Sequence, residues 1–148
     1  MAEALAATGA VASILQIIQI SIIVVDRIKQ YSSACSDLPE VFRHVGIELR
    51  LVLVTLDRIT KVTKTDCLDQ FSKDAIFEAT KACEKETKEL QEIILAALPA
   101  INDSGLKRTW KAIGSLSYDD KVKKKTKVIK DYVQILTCLL YTSPSPRD

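Results

Sequence analysis

The chain has 148 residues, 47% apolar and 27% charged, with a net charge of +2, which suits one domain with one buried core and argues against a disordered polyelectrolyte. Four glycines and four prolines are too few turn formers for a sandwich or barrel, and Ala, Leu, Ile, Lys and Glu dominate, so the fold class is all-α. The four cysteines, Cys35, Cys67, Cys83 and Cys138, form no C-x-x-C pair and have His44 as the single histidine, a set that argues against a zinc site and for reduced thiols in a cytoplasmic protein.

The chain begins Met-Ala-Glu, with an acid where an export signal carries Lys or Arg. Residues 4–25 then hold no charged side chain across 22 positions, enough at 1.5 Å per residue to reach roughly 33 Å and cross a hydrocarbon core. On a helical wheel Thr8, Ser13, Gln16, Gln19, Asp26 and Arg27 share a broad arc with Ala12, Ile20 and Ile23, so the helix is weakly amphipathic. The expectation is a long hydrophobic N-terminal helix in a bundle of four to five helices.

A second helix opens at "SDLPEV", where Asp37 suits the N-cap, Pro39 the first turn and Glu40 the positive end of the dipole. Leu38, Val41, Phe42, Val45, Leu49, Val52, Leu53, Leu56 and Ile59 recur at steps of three and four, which predicts the core stripe. His44 falls off that stripe beside Arg43 and reads as a solvated surface residue. A third helix is predicted over 72–98, capped by Asp69 or Ser72 and stopped by Pro99. Its interleaved Glu and Lys residues read as a solvated face of charge pairs, with Glu84, Glu86 and Glu89 neutralised by lysines rather than free to hold a metal.

The last region carries a turn at Ser104 and Gly105, a short helix "LKRTWKAIGSL", and a further helix capped by Ser117 with Asp119 and Asp120 in its first turn. Leu106, Trp110, Ile113, Val122, Val128, Ile129, Tyr132, Val133 and Leu136 are predicted to face the core. The outward side is basic: Lys107 to Lys130 holds nine Lys or Arg against two acids, a net of +7. Such a patch attracts nucleic acid, anionic lipid or acidic protein, and the scarcity of interleaved aromatics beyond Trp110, Tyr118 and Tyr132 argues against nucleic acid.

The sequence contains no G-x-x-x-x-G-K-[ST], G-x-S-x-G, H-E-x-x-H or G-x-G-x-x-G, so catalytic, cofactor and metal residues are all expected to be none and the segment reads as a non-enzyme. "MAEALAATGAVASILQIIQI", "LPEVFRHVGIELRLVLVTL", "LKRTWKAIGSL" and "VIKDYVQILT", taken in order, resemble the domain at the N-termini of fungal NACHT-type NTPases, also called the Ses-A domain, over residues 1–137. The resemblance implies a HeLo-like helical bundle ahead of a nucleotide-binding oligomerisation domain and a repeat sensor. It further implies an effector or signalling role in non-self recognition and regulated cell death. Expected partners are other death-effector or receptor domains, with self-association.

An alternative reading makes the domain a membrane-binding or membrane-permeabilising module. The first helix would insert through Ile14, Ile17, Ile18 and Ile22, and Lys123, Lys124, Lys125 and Lys127 would meet an anionic membrane, so that a cytoplasmic protein becomes membrane-associated on activation. The closing "CLLYTSPSPRD", residues 138–148, carries two Ser-Pro steps and no helical periodicity. It matches residue for residue one reading frame of the transposon adapter used to prepare DNA for high-throughput sequencing. It is therefore read as an adapter translation outside the domain, in preference to a natural tail awaiting phosphorylation.

Overall fold

The computed structural model describes residues 10–34, 38–61, 70–98 and 116–141. Its elements are α1 (Ala10–Ala34), α2 (Glu40–Lys61), α3 (Gln70–Ala97) and α4 (Leu116–Tyr141), so every described element is helical. The expected short helix with Trp110, the Asp37 and Asp69 caps, and Leu106 and Ile113 lie outside the described residues.

Each helix follows from its sequence, with boundaries that shift for local reasons. In α2, Pro39 precedes the first turn and its carbonyl accepts from the Phe42 amide at 3.1 Å. Helix α3 begins at Gln70, before Ser72, because Gln70 Nε2 donates to Asp74 Oδ1 at 2.9 Å and supports that turn directly. Helix α4 begins at Leu116 and runs to Tyr141, which corrects both the Ser117 cap and the expected stop at Thr137. The Thr137 hydroxyl donates to the Val133 carbonyl, and Cys138, Leu139, Leu140 and Tyr141 include no Gly or Pro to break the ladder. That continuation reflects local residue chemistry whatever the segment's origin.

The helices stand at the corners of a square in the order α1, α2, α4, α3, since α1 packs on α2 and α3 while α4 packs on α3 and α2. Consecutive helices α2 and α3 therefore occupy opposite corners. Gly46 of α2 meets Ile28 of α1, where an added Cβ would lie 3.3 Å from Ile28 Cγ2, so the helices approach closely there. The Arg27 guanidinium donates to the Leu98 carbonyl at 2.7 Å, which puts the C-terminal ends of α1 and α3 together and makes that pair parallel. Lys130 of α4 reaches Glu48 of α2 at 3.2 Å, and the groove between those helices opens at Pro39 and Asp119 and closes at Thr55 and Thr137, so they too run parallel.

The core gathers Ile14, Ile17, Val24 and Ile28 of α1, Val45, Leu49 and Leu56 of α2, Ile76, Leu90 and Ile94 of α3, and Val122, Ile129 and Leu136 of α4. The predicted α2 stripe is buried except at Leu53, which is half-buried against the cluster. In α4, Val128 and Tyr132 are half-buried, whereas Val122, Ile129, Val133 and Leu136 are buried. The polar arc drawn for α1 is exposed at Ala12, Gln16, Gln19, Ile23 and Asp26, but Ser13 and Ile20, placed on the same arc, are buried. Neighbours on two sides, α2 and α3, set the buried arc of α1, and its weak polarity marked it only in part.

Candidate interaction surfaces

The residues singled out in α1 separate cleanly. Ile14 and Ile17 are buried at 1% and 0% exposure, Ile18 is half-buried, and Ile22 is 45% exposed. In the folded bundle Ile14 and Ile17 therefore have no surface to offer a membrane, and contact through them requires α1 to leave its neighbours. Helix α1 is long and apolar enough to cross a membrane, a property that buried core helices share.

The lysines of α4 also separate. Lys123, Lys124 and Lys127 are exposed. Lys125 instead points back to α3, where its ammonium donates to Glu86 Oε2 at 2.7 Å and to Glu89 Oε2 at 3.1 Å. Glu86, and then Glu89, hold its pKa above the ordinary value against the opposing effect of desolvation. Lys125 is thus a strut between α3 and α4, and the basic face that solvent meets is narrower than the sequence count implies.

Glu84, Glu86 and Glu89 are all engaged by lysines. Lys88 lies 3.0 Å from Glu84 and Lys81 lies 3.8 Å away. Desolvation pushes the Glu84 carboxyl up, but Lys88, Ser13 and Lys81 together outweigh it and hold the group below its usual range. The Ser13 hydroxyl leans toward that carboxylate yet stops short of hydrogen-bond geometry. Among the described residues no cluster of His, Cys, Asp or Glu is arranged to hold a metal ion. Cys83 is fully buried, and burial pushes its thiol up to about 12, so at neutral pH it is a packing residue with almost no thiolate.

A concavity lies between α2 and α4. Its upper part, about 630 Å³, is lined by Pro39, Glu40, His44, Glu48, Asp119, Lys123, Lys127 and Lys130, among others. Its lower part, about 280 Å³, is lined by Leu51, Val52, Thr55, Val133 and Thr137 beside the Glu48–Lys130 pair. Acids and bases balance in the upper part, so the groove does not select anions. His44 is exposed as expected, but it faces this groove.

One surface escaped the sequence reading. Ile47, Leu51 and Val54 are 59%, 63% and 52% exposed, and their spacing of four and three puts them in line on the side of α2 turned from the core. The signal was present as a second i, i+4, i+7 series. It was masked because the longer series through Val45, Leu49, Val52 and Leu56 already accounted for an amphipathic helix.

A family model described as SesA, an N-terminal domain on NACHT NTPases and P-loop NTPases, matches residues 11–136, a span that covers most of each of the four helices. No curated protein and no solved structure matches the chain.

Proposed function

We propose, for a chain that belongs to the SesA family of N-terminal domains on NACHT and P-loop NTPases, that it serves as an effector and signalling module that works by binding other protein domains. The family match across the whole bundle carries this reading. A NACHT-type NTPase placed after such a domain would cluster it, so the four helices need present only recognition surfaces, and catalysis is assigned to none of their side chains. On this reading the domain acts in the cytoplasm, in non-self recognition and regulated cell death of a fungal receptor. Its partners are other receptor or effector domains and further copies of itself.

The test is forced clustering. The domain fused to an inducible oligomeriser and expressed in a fungal cell should reduce viability when clustered and leave it unchanged when dispersed. Clustering without loss of viability, and without recruitment of any other domain, would overturn the reading.

A second reading rests on two observations together, the length and apolarity of α1 and the exposure of Lys123, Lys124 and Lys127 on α4. It makes clustered domain a binder of anionic bilayers, with each lysine near the surface contributing about 1 kcal/mol. Lys123→Glu, Lys124→Glu and Lys127→Glu together should remove binding to phosphatidylserine vesicles at low salt while the helix content stays unchanged. Lys125 is left intact because its substitution breaks contacts to Glu86 and Glu89. Equal vesicle binding by wild type and triple variant would exclude this mode.

A further inference from the structure

We propose that copies of the chain join head to tail, the outer ridge of α3 of one copy lying in the groove between α2 and α4 of the next. This assembly rests on the reading of the domain as an interaction module and gives the chemistry of one such interaction.

The ridge is headed by Phe71, at 82% exposure the most exposed large apolar side chain among the described residues. A lone exposed apolar residue needs no explanation, but Phe71 stands in series with two charges. Glu78 and Lys85, both exposed, follow it at steps of seven, so the three share a line on the side of α3 turned away from the buried Ile76, Cys83 and Leu90.

The groove offers the complementary series. Its lower end is a recess of about 280 Å³ walled by Leu51, Val52, Thr55, Val133, Gln134 and Thr137, room for one aromatic ring. Lys127 stands seven residues up α4 from Gln134, and Asp119 eight further, both lining the upper groove. At 1.5 Å per residue Phe71 to Glu78 and Gln134 to Lys127 each span about 10 Å, while Glu78 to Lys85 and Lys127 to Asp119 span about 10 and 12 Å. With Phe71 in the recess, Glu78 therefore comes level with Lys127 and Lys85 with Asp119. None of these four charged groups has an ion pair among the described residues, so all are free to pair. The opposite direction would carry Glu78 past Thr137, where the groove closes, so α3 enters antiparallel to α2 and α4.

Ridge and groove cannot meet within one chain, because α3 packs against α1 and α4 and stands at the corner opposite α2. They meet between two copies, which leaves one free groove and one free ridge at the ends of the pair and lets further copies add. The contact area is that of one helix face, so association is weak in isolation and is reinforced when copies are brought together.

Sedimentation of the full chain over about 10 μM to 1 mM, the range in which small interfaces associate, tests this directly. Wild type should grow from monomer past dimer as concentration rises. Phe71→Ala, which removes the ridge anchor, and Leu51→Glu, which puts a charge in the wall of the recess, should each weaken self-association at least about tenfold with unchanged helicity. An equimolar mixture of the two should form a heterodimer and nothing larger, since the first variant keeps its groove and the second keeps its ridge. Glu78→Lys alone and Lys127→Glu alone should each weaken assembly about two- to fivefold, and a chain carrying both should assemble again.

A chain that stays monomeric throughout, an assembly indifferent to Phe71→Ala and Leu51→Glu, or a mixture of those variants that does not pair overturns the head-to-tail contact. So does binding of phosphatidylserine vesicles through Phe71 by a chain that forms no assembly, which would make a bilayer the occupant. Viability loss on forced clustering by a chain that shows no Phe71-dependent assembly would sink this interface and leave the functional reading standing. Phe71-dependent assembly without that viability loss would do the reverse.

Discussion

The bundle has two parallel seams built differently. On α1 and α3 the buried side chains are short or apolar, and Arg27 draws the two C-terminal ends together by donating to the Leu98 carbonyl. Between α2 and α4 it places long charged side chains, Glu48, Lys123, Lys127 and Lys130, and the helices stand off around a groove of about 630 Å³. The difference teaches that groove and seal arise from the length and polarity of seam residues and not from topology, because both pairs run in the same sense. A charged side chain keeps its end in water, so a seam of lysines and glutamates stays wet.

The largest test of that contrast is truncation of an apolar side chain on each side. Ile17→Ala, at a position with 0% exposure, should cost about 2–5 kcal/mol in denaturant unfolding. Leu51→Ala, in the wall of the open seam at 63% exposure, should stay within about 0.5 kcal/mol. Comparable losses at the two sites would mean that the open seam is covered in solution.

Polar contacts should follow the same order. Arg27→Met removes a charged donor from the part-buried Leu98 carbonyl and should cost about 1.5–3 kcal/mol. Lys130→Met removes an exposed pairing with Glu48 and should cost about 0–1 kcal/mol. If the second change proves as costly as the first, the groove is less hydrated than its lining implies.

Alkaline pH probes the inner faces of α3 and α4, through Cys83 of α3 and Lys125 of α4. Cys83, raised to about 12 by burial, and Lys125, raised by Glu86 and Glu89, both bind their protons more tightly folded than unfolded. Their contribution is fully present below the unfolded values and is lost as pH rises through the folded ones. Stability should therefore decline above pH 9, the ordinary cysteine value, with Cys83 contributing at most about 1.4 kcal/mol per pH unit. Cys83→Ala should flatten that slope in urea titrations at pH 9 to 11, and a slope unchanged by the substitution would place the titrating group elsewhere. The smallest effect is chemical: Cys83 should resist iodoacetamide at pH 8 in the native protein and react after denaturation. Rapid native labelling of Cys83 would show that α3 opens.

Much of the fold was legible in the residues, and its failures have specific causes. The α2 stripe emerged because its apolar steps contrast with charged neighbours, yet Leu53, expected in the core, is half-buried. Leu53→Ala should accordingly cost less than a full core truncation. In α1 the contrast was missing, since a run without charge gives period but little phase. Ser13 and Ser21 are consequently buried without hydrogen-bond partners among the described residues, whereas Ile22 and Ile23 are exposed. Among the surface residues, Lys123, Lys124 and Lys127 lie where the basic patch was expected. Lys125 could not be told from them by composition, because its partners Glu86 and Glu89 are more than 35 residues away in the chain.

The sequence by itself determined that the chain forms helices, where α2, α3 and α4 begin to within a few residues, and which domain family it belongs to. Those properties depend on local propensity, on periodicity within single segments and on ordered motifs along the chain. Tertiary structure alone decided that α2 and α3 occupy opposite corners, that Lys125 is a strut, that the α2–α4 seam stays open, and that Ile47, Leu51 and Val54 are left facing outward. Each of these depends on which helix stands beside which. A helix's own sequence states that it has an apolar face, but its neighbours decide how much of that face is covered.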